Sequence, residues 1–145
     1  MDFFTSMNVS SSGMASNRKR MNAISSNIAN AQTTRTVEGG PYRRKEVVFG
    51  SEPARNNFSD ILEGEMGANI QKVHATEVLS VNEAPILKYE PGHVDANEKG
   101  YVAYPNVNVM KEMADMISAS RSYEANISAL NTAKSMAMKS LEIGR

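Results

Sequence analysis

The stretch PNVNVMKEMADMISASRSYEANISALNTAKSMAMKSLEIG, residues 105–144, decides the fold of this chain. Its apolar residues recur in alternating steps of four and three, the spacing of a helix with one continuous packing seam. Pro105 followed by Asn106 and Asn108 predicts the helix start, because either asparagine can cap first-turn amides, and Gly144 predicts its end. Such a helix is roughly 50 Å long, more than a compact domain of this size accommodates. We therefore expect it to need a partner outside the chain.

The N-terminal segment predicts a second, shorter helix. Its apolar residues also fall at heptad positions, although Ser10 and Asn17 interrupt the pattern. The two helices can pack on one another, and small residues on several sides of the longer one favour further helices around it. A monomeric two-helix core with methionine as filler is the alternative. The predicted assembly interface consists of Met7, Met14, Met21, Ile24 and Ile28 in the first helix and Val109, Met113, Met116, Tyr123, Ile127, Leu130 and Leu141 in the second.

The stretch between the helices predicts turns and short strands. An exposed loop containing Gly39, Gly40 and Pro41 leads into a β-favouring run at residues 47–49. A half-buried strand is predicted over residues 70–81, because apolar and polar residues alternate there, and residues 86–89 are expected to pair with it. The predicted apolar face of the 70–81 strand is formed by Val73, Ala75, Leu79 and Val81.

These elements predict an α+β fold in which two long terminal helices pack as a coiled-coil-like pair around a small inserted β element. A helical turn is also expected near Phe58, Ile61 and Leu62. With 145 residues and 41% hydrophobic content, the chain can bury one modest core, so we predict one folding unit that depends on assembly. Its segments are 1–34, a helix and an Asn-rich turn; 35–104, a loop and the β element; and 105–145, the long helix.

Composition excludes several classes of site. The absence of cysteine excludes disulfides, zinc-thiolate centres and thiol nucleophiles. Sixteen basic and sixteen acidic residues balance, and the balance nearly holds in each segment, so no nucleic-acid surface is predicted. The opening MDFFTSMNVS lacks a basic region and a long apolar run, so we expect no cleaved secretory signal, and no transmembrane segment is predicted.

Residues with catalytic or metal-binding chemistry are sparse. His93, Asp95 and Glu90 are the candidates for a metal site or a small enzyme's active site, but they are few and lie in a turn-rich loop. No GxSxG elbow or phosphate-binding glycine loop occurs. The basic runs at 18–20 and 43–45 are interpreted as solvated or salt-bridging charge. We therefore predict no catalytic, metal or cofactor site.

Several segments resemble one protein family. SSNIANAQTTRT, residues 25–36, is similar to the N-terminal signature of the bacterial flagellar axial proteins, the rod and hook family. EGGPYRRKEVVF (38–49), GHVDANEKGYVAYPNV (92–107) and the segment 112–144 resemble the proximal rod branch of that family. The family motif positions are Asn27, Asn30, Thr33, Thr34, Gly39, Gly40, Pro41, Tyr42, Gly100, Tyr101, Pro105 and Asn106.

The resemblance implies a structural subunit of the flagellar basal-body rod, the drive shaft that crosses the periplasm. It implies helical stacking with the terminal helices in the inner tube, and export through the flagellar type III apparatus without a cleaved signal. The implied partners are copies of the chain, other rod proteins, a rod-base adaptor and the export apparatus. A coiled-coil adaptor or secretion-associated factor that docks on one partner is the alternative. The loop at 35–50 is expected to contribute to partner choice.

Overall fold

The computed structural model describes residues 3–54 and 70–143, and these residues form an α+β fold with a long helix at each end. This confirms the predicted fold class. The helical turn expected near Phe58 and the helix end expected at Gly144 lie outside the described residues. The elements, in chain order, are α1 (Phe3–Ala29), β1 (Lys45–Pro53), β2 (Gln71–Ser80), β3 (Ile86–Tyr89), β4 (Tyr101–Tyr104) and α2 (Val109–Ile143).

The long helix α2 is continuous over 35 residues. It begins at Val109 because Asn108 caps it: the Asn108 side-chain oxygen accepts a hydrogen bond from the Lys111 amide at 3.2 Å, and the Asn108 carbonyl accepts one from the Glu112 amide at 3.0 Å. No glycine or proline interrupts the chain between these residues and Ile143. The prediction of a single long helix is confirmed, with Asn108 rather than Asn106 as the cap.

Helix α1 ends in the Asn-rich turn that the sequence predicts. The Ser26 carbonyl accepts hydrogen bonds from both the Asn30 amide at 3.1 Å and the Asn30 side chain at 2.9 Å, which closes the last turn. The Asn30 side-chain oxygen and carbonyl in turn accept hydrogen bonds from the Thr33 hydroxyl and amide. The Thr33 carbonyl accepts a hydrogen bond from the Tyr42 amide at 3.1 Å, and this bond holds the chain at Tyr42 against the end of α1.

The two helices pack against each other in antiparallel orientation. Asn27 near the end of α1 contacts Glu112 near the start of α2, and Gly13 lies against Asn126 farther along. A Cβ atom at Gly13 would lie 3.0 Å from the Asn126 side-chain nitrogen, so glycine permits a close approach of the two backbones.

Strands β1 and β2 form an antiparallel hairpin packed on α1. Val48 pairs with Glu77 and Phe49 pairs with Ala75, which leaves Thr76 as a bulge. Paired residues share a face, so the bulge puts Glu77 and Leu79 on the face opposite to Ala75. The predicted single face formed by Val73, Ala75, Leu79 and Val81 is therefore wrong beyond Ala75, because an extra residue shifts the alternation.

The expected pairing of residues 86–89 with the 70–81 strand is also wrong. Strand β3 pairs instead with β4, from Ile86 with Tyr104 to Tyr89 with Tyr101, in a separate two-stranded sheet. The turn at Asn97 decides this, because its side-chain oxygen accepts hydrogen bonds from the amides of Lys99 and Tyr101 at 3.0 and 2.9 Å.

The core of the described residues is small. Its fully buried apolar side chains are mostly alanines, with Ile24 and Val102 as the larger members. Polar side chains are buried beside them, most completely Asn27 and Glu112. Neither helix, over the described residues, is long and apolar enough to span a membrane. A core this small leaves many apolar side chains at the surface.

Candidate assembly interface

The face of α2 that packs on α1 differs by one residue step from the predicted seam. Met116, Tyr123 and Leu130 belong to both, and each is half-buried. At the positions between them, the residue that contacts α1 is the one before the residue predicted by the spacing of four and three. Ala119 thus lies at the contact instead of Ser120, and Asn126 instead of Ile127. The contact face consists of Glu112, Met116, Ala119, Tyr123, Asn126, Leu130, Ala133 and Ala137.

The residues of α1 explain why the contact face of α2 is rotated by one residue from the predicted seam. At the contact, α1 presents Gly13, Arg20 and Asn27, which are small or polar. Small and polar residues of α2 complement them better than large apolar ones do, and Arg20 pairs with Asp115 at 3.4 Å. Hydrophobic spacing alone therefore does not identify the face of α2 that packs on α1.

The rotation leaves a row of large apolar side chains exposed on the other side of α2. Met113 and Ile127, both in the predicted interface, belong to this row rather than to the contact with α1. A helix wheel at 100° per residue places its members on one side of the helix. This outer stripe of α2 consists of Val109, Met110, Met113, Ile117, Ile127 and Met138.

Helix α1 has a different outer surface. Its predicted seam residues Met7, Met14, Met21 and Ile28 are half-buried, and Ile24 is buried. Apart from the apolar Phe4, the exposed side of the described α1 is polar or small. Its members include Asn8, Ser11, Ala15, Arg18, Asn22, Ser25 and Ala29.

A buried polar cluster holds α1, α2 and β1 together, and Asn27 is its centre. The Asn27 side-chain nitrogen donates to the Lys45 carbonyl at 2.9 Å and to the Glu112 carboxylate at 3.0 Å. Its oxygen accepts from the Lys45 amide at 2.8 Å and the Tyr42 hydroxyl at 3.0 Å. All four hydrogen-bonding positions of the amide are therefore used, although the residue is only 1% exposed.

Glu112 connects this cluster to Arg44. Its second carboxylate oxygen accepts a hydrogen bond from the Arg44 guanidinium at 2.7 Å, and that bond raises the pKa of Arg44 above its ordinary value. Glu112 is 2% exposed, so its charge is stable there only because both oxygens have partners. Sequence reasoning included Asn27 among the motif residues but missed Glu112, because a charged residue beside an apolar seam normally faces solvent.

The remaining motif residues form the turns around the helix ends. The Thr34 hydroxyl donates to the Asp95 carboxylate at 2.8 Å, which joins the loop after α1 to the loop before β4. Gly39 and Gly40 have φ values of +86° and +79°, a conformation that favours glycine. Pro105 is buried before α2, whereas Asn106 is exposed. The motif positions are thus structural parts of the turns.

The candidate metal or catalytic residues also have structural partners. The His93 imidazole accepts a hydrogen bond from the Asp95 amide at 3.1 Å. The Glu90 carboxylate accepts one from the Tyr104 hydroxyl at 2.8 Å, which raises the pKa of Tyr104 above its ordinary value. Among the residues that the structure describes, no three His, Cys, Asp or Glu side chains are placed to hold a metal ion.

Comparison with known proteins matches both ends of the chain and its full length. A family model described as "Flagella basal body rod protein" matches residues 7–35, and one described as "Flagellar basal body rod FlgEFG protein C-terminal" matches residues 98–143. The chain is similar to flagellar basal-body rod protein FlgC of Borreliella burgdorferi, with 42% identity over 99% of this chain and 98% of the relative.

Two further relatives have the same description. FlgC of Bacillus subtilis is 43% identical, with both chains covered completely. FlgC of Salmonella typhimurium is 40% identical over 94% of each chain. Identity at this level over nearly the whole length is sufficient to assign the family, and the chain therefore belongs to the FlgC family of flagellar basal-body rod proteins.

Proposed function

We propose that this chain is a structural subunit of the flagellar basal-body rod and that it polymerises through its terminal helices. The observation that supports this most directly is the outer stripe of α2, a row of large apolar side chains without partners among the described residues. Exposed apolar patches of this kind mark protein–protein interfaces. Burying each large side chain contributes about 1.5–3 kcal/mol, so neighbouring subunits would supply what the small core lacks.

The outer surfaces of the two helices indicate which contacts assembly uses. The exposed side of α1 is polar or small, so it offers little apolar area to a neighbour. The outer stripe of α2 requires an apolar complement, and another copy's stripe provides one. We therefore expect lateral contacts between α2 helices, with methionines adapting to slightly different neighbours at successive positions.

The location and the wider partners follow from the family. We propose that the subunit forms part of the proximal rod in the periplasm, next to other rod proteins and a rod-base adaptor. We further propose that the flagellar type III apparatus exports it without a cleaved signal. Names of relatives support the rod location, and the export route rests on the family resemblance alone.

The loop at 35–50 is proposed as a contact that contributes to partner choice. Its tip is ordered by hydrogen bonds between Thr36 and Gly40, and it exposes Val37 fully. Arg43 is exposed nearby, so a photo-reactive cross-linker attached there in assembled rods is expected to capture a neighbouring subunit. If no neighbour is captured at any position along the rod, the loop is merely solvated.

The test of function is mass spectrometry of purified, detergent-stripped hook–basal bodies. We expect this chain in a fixed ratio to the other rod components, as a structural subunit requires. Reproducible absence would contradict the proposal. A stable stoichiometric heterodimer with one non-rod partner, found together with that absence, would favour the adaptor.

A further inference from the structure

The last two turns of α2 extend beyond α1. Gly13 packs against Asn126, and the helices are antiparallel. Phe3 precedes Gly13 by ten residues, so it falls opposite about residue 136, ten residues beyond Asn126. Residues 138–143, which we call the overhang, therefore project past the first described residue of α1.

The overhang combines exposed apolar side chains with one charge of each sign. Met138, Leu141 and Ile143 are 54%, 76% and 86% exposed. Lys139 and Glu142 are exposed between them, three residues apart and thus neighbours on the helix surface. An apolar helix end of this kind is poorly suited to water on every side.

A groove of complementary character lies at the opposite end of the molecule. It has a volume of about 410 Å³ and is formed where the β3–β4 hairpin meets the start of α2. Ile86, Pro105 and Val109 supply apolar walls, while Lys88 and Glu90 supply charges of both signs. We call it the β3–α2 groove.

Tyr104 fixes the two charges of the groove. Its hydroxyl donates to the Glu90 carboxylate at 2.8 Å, and the Lys88 ammonium lies 4.7 Å from the centre of its ring. A helix end carrying one cation and one anion can therefore meet opposite charges at defined places. Lys139 is opposite in charge to Glu90, and Glu142 is opposite in charge to Lys88.

The overhang cannot reach the groove of its own chain. The groove includes Val109, the first residue of α2, whereas the overhang is the last part of the same continuous helix. At 1.5 Å per residue, 35 residues separate the two ends by roughly 50 Å. The occupant must come from another molecule.

We propose that the overhang of one copy inserts into the β3–α2 groove of a second copy. The contact uses two different surfaces, so it is heterologous, and its repetition produces an open helical array rather than a closed dimer. This inference rests on the proposed rod function and adds the axial contact between successive subunits. Met138 of the overhang and Val109 of the groove also belong to the outer stripe, so this axial contact adjoins the lateral contact at the two ends of α2.

Disulfide trapping tests the contact, since the chain has no cysteine of its own. One copy carries Ile143→Cys and a second carries Ile86→Cys; neither residue belongs to the outer stripe. A disulfide forms only when the two Cα atoms come within about 7 Å. We expect a disulfide-linked dimer when both variants are present in assembled rods. Ser118→Cys, exposed on α2 away from the groove, is the control acceptor and should give none.

The outcomes separate this contact from the rod function. The proposed contact is wrong if both cysteine variants enter rods but no dimer forms. It is also wrong if Ile143→Cys links only to Ser118→Cys or to a different rod protein. In both cases the rod function stands. Should Ile86→Cys fail to enter rods, Gln32→Cys, which also lines the groove and lies outside the outer stripe, serves as the second acceptor. Absence of the unmodified chain from rods would contradict the function, and trapping in the purified, concentrated chain would then decide the contact.

Discussion

At the scale of single residues, buried polar side chains hold the helices together where a larger core would use apolar ones. Asn27 has all four hydrogen-bonding positions occupied, and it joins α1 to both β1 and α2. A buried amide is costly unless it is satisfied, so this cluster stabilises one geometry and penalises others. The helix pair is therefore aligned by polar contacts.

Replacing Asn27 by alanine tests the cluster. Asn27→Ala leaves the Lys45 backbone groups and the Glu112 carboxylate without their partner, so we expect a loss of stability on the order of 2–3 kcal/mol. Circular dichroism during urea unfolding measures it. Asn22→Ala, on the exposed side of the same helix, is the matched control and should change stability little. Equal effects of the two substitutions would contradict a special role for Asn27.

Replacing Gly100 by alanine tests the turn that sets the β3–β4 pairing. Its φ is +78°, and a Cβ atom there would lie 2.9 Å from the Tyr89 ring. Gly100→Ala is therefore expected to destabilise the hairpin by about 1–2 kcal/mol, through both backbone strain and the clash. Gly92→Ala is the control, because no atom lies within 4 Å of a Cβ at that position. Amide chemical shifts of residues 86–104 report the outcome; an unchanged hairpin in the Gly100 variant would refute the expectation.

At the scale of elements, α2 has two working faces. One packs on α1 through small and polar residues together with a few large apolar ones, and the other, the outer stripe, is apolar and exposed. Ile127 lies on the outer stripe and Leu130 on the face toward α1, although the sequence pattern placed both in one seam. Substitutions on the two faces should therefore have separable effects.

A charge on each face tests this separation. Ile127→Asp is expected to leave the isolated chain folded but to block its incorporation into rods, because the carboxylate would be buried against a neighbour. Leu130→Asp should reduce both the stability of the isolated chain and its incorporation. Ala125→Asp, exposed on a part of α2 that belongs to neither face, is the control. Circular dichroism and rod purification measure the two properties; normal rods with Ile127→Asp would exclude the outer stripe from assembly.

At the scale of the whole molecule, the ratio of core to exposed apolar surface indicates a subunit rather than a self-sufficient monomer. Over the described residues, the largest buried apolar side chains are Ile24 and Val102, while the outer stripe and the overhang remain exposed. Helices that obtain most of their apolar contacts from neighbours are weakly stable alone.

Hydrogen exchange of the free and assembled chain tests this dependence. We expect residues 108–142 to exchange faster in the dilute monomer than in assembled rods, since packing rather than intrinsic propensity stabilises the helix. Mass spectrometry of peptides from both states measures it. Strong protection of the whole helix in a verified monomer would contradict the proposed dependence on assembly.

The sequence by itself determined the two terminal helices, the Asn-rich turn and the positions of β1, β2 and β3, but not β4, because these depend on local spacing, capping and turn residues. The cap at Asn108 and the turn at Asn30 are of this kind. Tertiary structure alone decided the face of α2 toward α1 and the pairing of β1 with β2, including the bulge at Thr76. Each depends on which residues approach from a distant part of the chain, and Glu112 is buried only because Asn27 and Arg44 meet it there.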